Sequence, residues 1–490
     1  MPALATFILI SLPWLNPFAI GPTAAVGPLL FSWTCAALLL LVWSFAHDSR
    51  ARASRSRAIL LAWVAVATVS ACIGLLQYLG ASGWLGIWAN HPAAGEAYGN
   101  LRQRNQFATL MNMGLAALLC WACLPNWSRA KLTLLLLLVT LISAANAASS
   151  SRTGLLQLLL LGCLLLVGSR RAGIALKKRL LMLFLTGVAA YVAASLLLPA
   201  MAGLDPLSNG AWARLRAGDP ECSSRLTLWR NVIYLITQKP WLGWGWGELD
   251  YAHFVTLFPG LRFCDILDNA HNLPLQLAVE LGLPLAVLLC FGALWLVWRG
   301  RPWCETDPLR QLAWAVLAVI ALHSLLEYPL WYGPFQMAVL LSVYLLWPKS
   351  HIEKMPLAHY AQASAAALLI AYCGVAAWQY QLASQIYLAP EDRMAAYRDN
   401  TLEKIRQLWL FQDQVQFAAL TISDVNPGNA AQINVMAHKV LHFSPEAHVV
   451  ELLIESARAL GRDDEARYFM LRYQAAFAQD YARWVKKDKP

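Results

Sequence analysis

His271-Asn-Leu-Pro-Leu-Gln-Leu-Ala-Val-Glu280-Leu-Gly-Leu-Pro-Leu-Ala-Val-Leu-Leu-Cys290-Phe-Gly-Ala-Leu-Trp-Leu-Val-Trp298 opens on a lone histidine and then runs apolar for long enough to cross a bilayer as a helix. It closes a long polar insert that begins near Pro199, and an ionisable pair, His323 and Glu327, follows ahead of Tyr328-Pro-Leu-Trp331. A wet, charged insert held among apolar helices is where chemistry is to be sought.

Working outward, comparable apolar runs recur at 4–20, 25–46, 58–80, 105–125, 131–149, 154–168, 180–199, 274–298, 311–326, 332–347 and 359–380. The first has no basic leader region and is followed by Pro17, Gly21 and Pro22, so it reads as a membrane helix. With 59% hydrophobic and 13% charged side chains over 490 residues, and a mean hydropathy of +0.48, the chain is too apolar for a soluble domain. The expected fold is all-α: a polytopic bundle of about eleven transmembrane helices, or twelve, with a large periplasmic loop and a C-terminal helical module.

Charge separates the parts. Half of the 28 acids fall in the last 110 residues, so 381–490 reads as a water-soluble domain and 1–380 as the membrane domain, with the insert at 200–270. The net charge of +10 arises in the membrane part, where basic residues fill alternate loops. These are Arg50, Arg52, Arg55 and Arg57; Arg129 and Lys131; Arg170, Arg171, Lys177, Lys178 and Arg179; Arg299, Arg301 and Arg310; and Lys349 and Lys354. That alternation puts the N-terminus in the cytoplasm and the C-terminal module in the periplasm of a bacterial inner membrane. No basic array interleaved with aromatics points to nucleic acid.

Four segments then face outward: Ala81–Arg104, Ser149–Thr153, Ala200–Ala270 and Glu327–Trp331. Ser223–Gln238 has helical apolar spacing and is expected to be an amphipathic helix at the membrane surface. In the tail, Ser444-Pro-Glu-Ala reads as an N-cap with proline at the first helical position. Gly461 ends that helix before Asp463 starts another, as in a TPR-like pair with Ala457 and Ala466 at the crossing. Of ten cysteines only Cys222 and Cys264 lie in the outward insert, and they are expected to pair there.

Imidazole can take and release a proton near neutral pH, so His271 is a candidate general base, although it could equally cap the helix it opens. Arg102, Arg104, Arg152 and Arg225 stand where outward loops meet the membrane, against the usual distribution of arginine. A guanidinium fork suits phosphate oxygens, whereas headgroups or local acids are the plainer partners. His323 and Glu327 are intramembrane ionisable residues and so functional candidates, or else a mutually satisfied pair. Tyr328 and Trp331 fit an aromatic belt, and Trp241, Trp244 and Trp246 could stack on sugars or anchor at the interface. There is no Walker-type loop, histidine cluster or Asp-x-Asp, with Glu248-Leu-Asp250 the nearest approach, so neither a metal nor another cofactor is expected.

Arg225-x-x-x-Trp229, Pro240-Trp-Leu-Gly-Trp-Gly and His271-Asn-x-Pro-Leu-Gln-x-x-x-Glu280-x-Gly282 together resemble the O-antigen ligase and polymerase superfamily of bacterial envelope glycosyltransferases. Gln103-Arg-Asn-Gln, Ser151-Arg-Thr-Gly and His323-Ser-x-x-Glu-Tyr-Pro-x-Trp331 are similar to the branch that glycosylates proteins, the pilin or general O-oligosaccharyltransferases. The resemblance implies metal-independent transfer of a glycan from undecaprenyl diphosphate to a Ser or Thr hydroxyl of a periplasmic protein. It implies catalytic roles for His271, Arg225, Arg152, Gln103 and Tyr328. Arg102, Arg104, Asn105, Trp229, Glu280, His323, Glu327 and Trp331 are then expected around the substrates. A ligase acting on the lipid A core is the near alternative. A lipid or solute transporter is the distant one, disfavoured because the polar groups gather on one side rather than at the midplane.

Overall fold

In a computed structural model, residues 2–19, 21–45, 49–125, 127–205, 220–347 and 356–487 are described; Lys349, Lys354 and insert residues 206–219 lie outside them. All regular structure among the described residues is helical. The helices of the apolar part are α1 (Pro2–Leu15), α2 (Val26–Ser44), α3 (Ser49–Tyr78), α4 (Arg104–Cys123), α5 (Arg129–Ala148), α6 (Arg152–Gly168) and α7 (Ile174–Met201). Then come α8 (Arg225–Gln238), α9 (Leu249–Val255), α10 (Leu273–Leu281), α11 (Leu283–Gly300), α12 (Pro308–Ser324), α13 (Gly333–Leu346) and α14 (Pro356–Ala383). The tail adds α15 (Thr401–Ile405), α16 (Gln412–Thr421), α17 (Ala430–Leu441), α18 (Ala447–Ala459), α19 (Asp463–Ala476) and α20 (Ala478–Lys487).

Among the described residues, eight helices are long and apolar enough to cross a membrane, and the shorter apolar helices α1, α12 and α13 accompany them. The chain is a multi-pass membrane protein. One span differs from its reading in the sequence. The run 274–298 is broken at Gly282 into α10 and α11, because the sharp backbone turn there leaves both flanks apolar and therefore invisible to hydropathy.

The chain divides into two compact units, residues 1–218 with 296–375, and residues 219–295 with 376–490; the division falls within α11 and α14. In the first unit α4 lies at the centre, with 83% of its apolar window buried, and packs against α3, α5, α6 and α12. Small residues let the backbones close: a Cβ on Gly114 would lie 2.3 Å from the Ala67 Cβ of α3. Polar side chains satisfy the first turns. Gln103, Ser128, Ser151 and Asp307 each accept a backbone N–H at the start of α4, α5, α6 and α12.

The second unit joins most of the polar insert to the tail, which the sequence alone treats as separate modules. Phe254 and Val255 of α9 are buried with Leu441, Val450, Leu453 and Tyr473, the apolar stripes of α17, α18 and α19. Arg472 Nε donates to Val255 O at 2.7 Å, and the His442 ring stacks on Tyr251 at 3.8 Å. Helix α18 begins after Glu446 rather than at Pro445, two residues later than the Ser444-Pro signature suggests. Ala457 and Ala466 are buried where α18 meets α19. Cys222 and Cys264 are disulfide-bonded, 42 residues apart in sequence, and tie the start of α8 to the loop ahead of His271.

Two titratable groups in this unit make its stability depend on pH in opposite senses. Burial, with Glu248 and Asp268 adding, raises the Asp250 carboxyl to about 7. The folded protein thus holds this proton more tightly than the unfolded chain, and stability falls as pH rises from the ordinary carboxylate value of about 4 toward 7. Burial and the Arg262 guanidinium lower His253 to about 2, so its contribution is lost as pH falls below about 6.5. Asp250→Asn keeps the oxygen that accepts Tyr251 N and removes only the first effect. It is expected to raise the melting temperature at pH 7.5 and to confer no gain at pH 4; equal shifts at both pH values would refute this assignment.

Candidate active site

Three motif segments far apart in sequence meet at one side chain in the first unit. Asn105, in the first turn of α4, donates from Nδ2 to Glu327 Oε1 at 3.0 Å and accepts from Ser151 Oγ at 2.6 Å. Ser151 also caps α6, whose first residue is the exposed Arg152. The Gln103-Arg-Asn, Ser-Arg152 and Glu327-Tyr328 segments are thereby held together by two hydrogen bonds. Tyr328 follows directly and stacks with Tyr332 at 5.9 Å, with Trp331 half-buried on the same turn.

Beneath this cluster lies a polar layer that the sequence reading did not find. Thr109 Oγ1 donates to Asn105 O at 2.8 Å, stands 2.9 Å from His323 Nδ1, and accepts from Gln157 Nε2 at 2.8 Å. Asn112 continues the layer to Gln157 Oε1 and Gly154 O. His323 and Glu327 thus each engage α4. The signal was present as Asn105, Thr109 and Asn112 on one face of an otherwise apolar helix.

The cations of this unit are differently engaged. Arg104 pairs with Glu96 in a half-buried contact. Arg102 takes a left-handed backbone, φ 61°, and donates to Pro17 O at 2.6 Å. Gln103 caps α4 by accepting Gln106 N at 3.0 Å.

In the second unit the remaining motifs converge on the backbone around His271. Trp229, on α8 one turn after Arg225, donates its indole N–H to Ala270 O at 3.1 Å. Ala270 N donates to Gln276 Oε1 at 2.6 Å, and Gln276 in turn donates to Glu280 Oε1 at 2.9 Å. The same Glu280 oxygen accepts Gly247 N at 2.9 Å. Glu280 is 3% exposed and joins Gln276 to the Gly247 backbone in this relay. His271 N donates to Asn269 Oδ1 at 2.9 Å, and Asn272 caps α10. His271 itself is half-buried with φ 49°, in a region that non-glycine residues seldom occupy. Hydrogen bonds at Ala270, at His271 N and at Asn272 hold this conformation from both sides.

The histidines at 253 and 91 are differently placed. His253 is 1% exposed, between Asn231 Oδ1 at 3.3 Å and Arg262 Nη2 at 3.2 Å, a core histidine with no route to a substrate. His91 has its ring nitrogens on Ser82 and Gly86. Of the tryptophans, Trp244 is tied by its indole N–H to Leu235 O, whereas Trp241 and Trp246 are exposed. No group of three or more metal-ligating side chains occurs among the described residues.

Fold and clusters together define a multi-pass membrane protein with one polar cluster in each unit, around Asn105 in the first and around the backbone at Ala270 in the second. Residues 132–290 match the O-antigen ligase family, 97–121 match the protein glycosylation ligase family, and 311–490 match the C-terminal region of the virulence factor membrane-bound polymerases. Each match covers part of the chain, and together they make it similar to the O-antigen ligase family with a protein glycosylation ligase segment. Over 116 residues it is 31% identical to a general O-oligosaccharyltransferase of Acinetobacter baylyi, covering 24% of this chain and only 20% of that relative's length.

Proposed function

We propose that this chain transfers an oligosaccharide en bloc from undecaprenyl diphosphate to a Ser or Thr hydroxyl of a protein such as a pilin, on the periplasmic side of a bacterial inner membrane. The observation that carries this reading is the convergence of the motifs. Gln103–Asn105, Ser151–Arg152 and Glu327–Tyr328 meet through Asn105, and Arg225–Trp229, Gly247 and Glu280 meet around His271. The match to the protein glycosylation ligase family lies over the segment that holds Gln103 to Asn105, and the likeness to a general O-oligosaccharyltransferase favours a protein acceptor.

The chemistry follows from the groups. A hydroxyl is a weak nucleophile, and His271 takes its proton as the oxygen attacks the anomeric carbon. The bond between that carbon and the phosphate oxygen breaks, and the diphosphate leaves with the electron pair. Arg225 and Arg152 stabilise the growing charge, with Arg104 available once its pairing with Glu96 yields. Guanidinium groups suffice for this leaving group, so the reading involves no cofactor.

The test is reconstitution of the purified chain with lipid-linked oligosaccharide and, in separate reactions, a pilin-like protein and lipopolysaccharide core. Glycan on the protein supports the proposal; glycan on the core alone replaces it with the ligase reading, and neither product ends both. In the same assay Arg225→Lys keeps the charge and loses the fork, and is expected to slow transfer about tenfold. An unchanged rate would count against diphosphate at this position.

A further inference from the structure

At the opposite end of α4 from Asn105, roughly 20–30 Å along the helix axis, the first unit contains a cavity of about 460 Å³. This is within the ~300–1,000 Å³ of small-molecule sites. Its walls are the last turns of α4 from Ala116, the last turns of α6 from Leu161, the start of α7, and the Pro302–Ala315 segment that enters α12. Leucine, alanine and valine dominate the lining, whereas the polar contributions gather at one end, in Ser169, Arg171, Thr306 and Gln311.

Three observations say what it would hold. The cavity opens among helices whose leucines face outward, Leu159 and Leu166 being exposed, which in a membrane places hydrocarbon beside it. Arg171 lines the polar end and is exposed, as is the adjacent Arg170, both in one of the basic loops, and Arg171 Nη1 donates to Cys304 O at 3.2 Å on the surface. By contrast the neighbouring Lys131 and Arg179 are stacked on Trp127. Finally, Trp314 lines the cavity with a buried indole N–H that has no acceptor among the described residues. Its ring is seated against Gly300, where a Cβ would lie 2.4 Å away. An apolar slot with a cationic end and a donor in its wall matches one acyl chain, its ester carbonyl and an anionic headgroup.

We propose that this cavity binds an anionic phospholipid of the leaflet on the Lys/Arg-rich side, with an acyl chain between α4, α6 and α12 and the phosphate on Arg170 and Arg171. It is a site separate from the Asn105 cluster, and it does not depend on the proposed transfer reaction. Basic pockets between transmembrane helices favour anionic headgroups in this way.

The test is native mass spectrometry of the full chain titrated with palmitoyl-oleoyl phosphatidylglycerol and, separately, the phosphatidylcholine with the same tails. Phosphatidylglycerol is expected to bind the more tightly. The exposed double variant Arg170→Gln/Arg171→Gln is expected to lose about fivefold of that affinity per arginine while leaving phosphatidylcholine unchanged. Ala315→Phe, which fills the slot, should weaken both lipids. Equal binding of the two lipids by the native chain, or a preference that survives loss of both arginines, overturns the proposal. Retention of a polyprenyl phosphate in place of phosphatidylglycerol overturns it too, and assigns the slot to the donor's tail.

Discussion

His271→Asn is expected to lower glycan transfer by about 10²–10⁴-fold while leaving the protein as stable as the native chain. Asparagine is the informative replacement because position 271 has φ 49°, a conformation that asparagine accepts readily and alanine resists. It keeps the backbone N–H that donates to Asn269 Oδ1, so the loop between Trp229, Gln276 and Asn272 should remain closed. What it removes is the only proton acceptor that the proposal assigns to the hydroxyl. His271→Ala should lose transfer to the same degree but melt somewhat lower, and that difference separates chemistry from strain. The measurement is initial rate of transfer to a pilin-like acceptor beside a thermal melt of each variant. A His271→Asn protein that transfers at the native rate disproves the general-base role, whatever its stability.

Much of this arrangement could be read from the sequence, and what could not has identifiable physical causes. The spans were legible because hydrocarbon imposes long apolar runs whatever the fold, and the α8 helix because its apolar spacing is periodic. The break at Gly282 was not, since leucine and proline stand on both sides of it and composition does not change across the turn. The shared core of insert and tail was equally hidden. Phe254 and Val255 look like any buried pair until Leu441 and Leu453, almost two hundred residues on, are seen against them. Within the two clusters, the contacts that join the motif residues were not legible. Trp229, Gln276 and Glu280 turn out to hold the backbone beside His271, and Thr109 and Gln157 to underpin Asn105 and His323. A sequence names which side chains can do chemistry; which of them face inward depends on contacts between segments it does not order in space.

Gly282→Ala should be among the most damaging single-methyl changes in the chain. Gly282 has φ 85° and ψ 160°, a combination essentially confined to glycine, and an added Cβ would lie 2.2 Å from Trp241 O. The clash cannot be relieved by a rotamer, because its partner is backbone. Gly243 answers from the other side, with φ 69° and a Cβ position 2.3 Å from Glu280 O. The two glycines let the Trp241–Gly247 loop lie against the end of α10. There Trp244 N and Gly245 N donate to Val279 O and Glu280 O, and Leu283 N donates to Pro240 O. Val279 O and Glu280 O are carbonyls that a helix end leaves without partners, so the loop acts as the C-terminal cap of α10. Backbone strain and overpacking together predict a loss of about 3 kcal/mol or more, a large part of an ordinary folding free energy. The effect should also reach the candidate site, since α10 carries Gln276 and Glu280, which fix Ala270. Gly292→Ala, on α11 with open space around it, is the control and should be neutral. Gly243→Ala should cost about as much as Gly282→Ala, and the double variant less than their sum, because both loosen the same joint. If Gly282→Ala melts with the native protein and transfers glycan normally, the loop does not cap α10, and the explanation given for the Gly-Trp-Gly and Glu-x-Gly motifs fails.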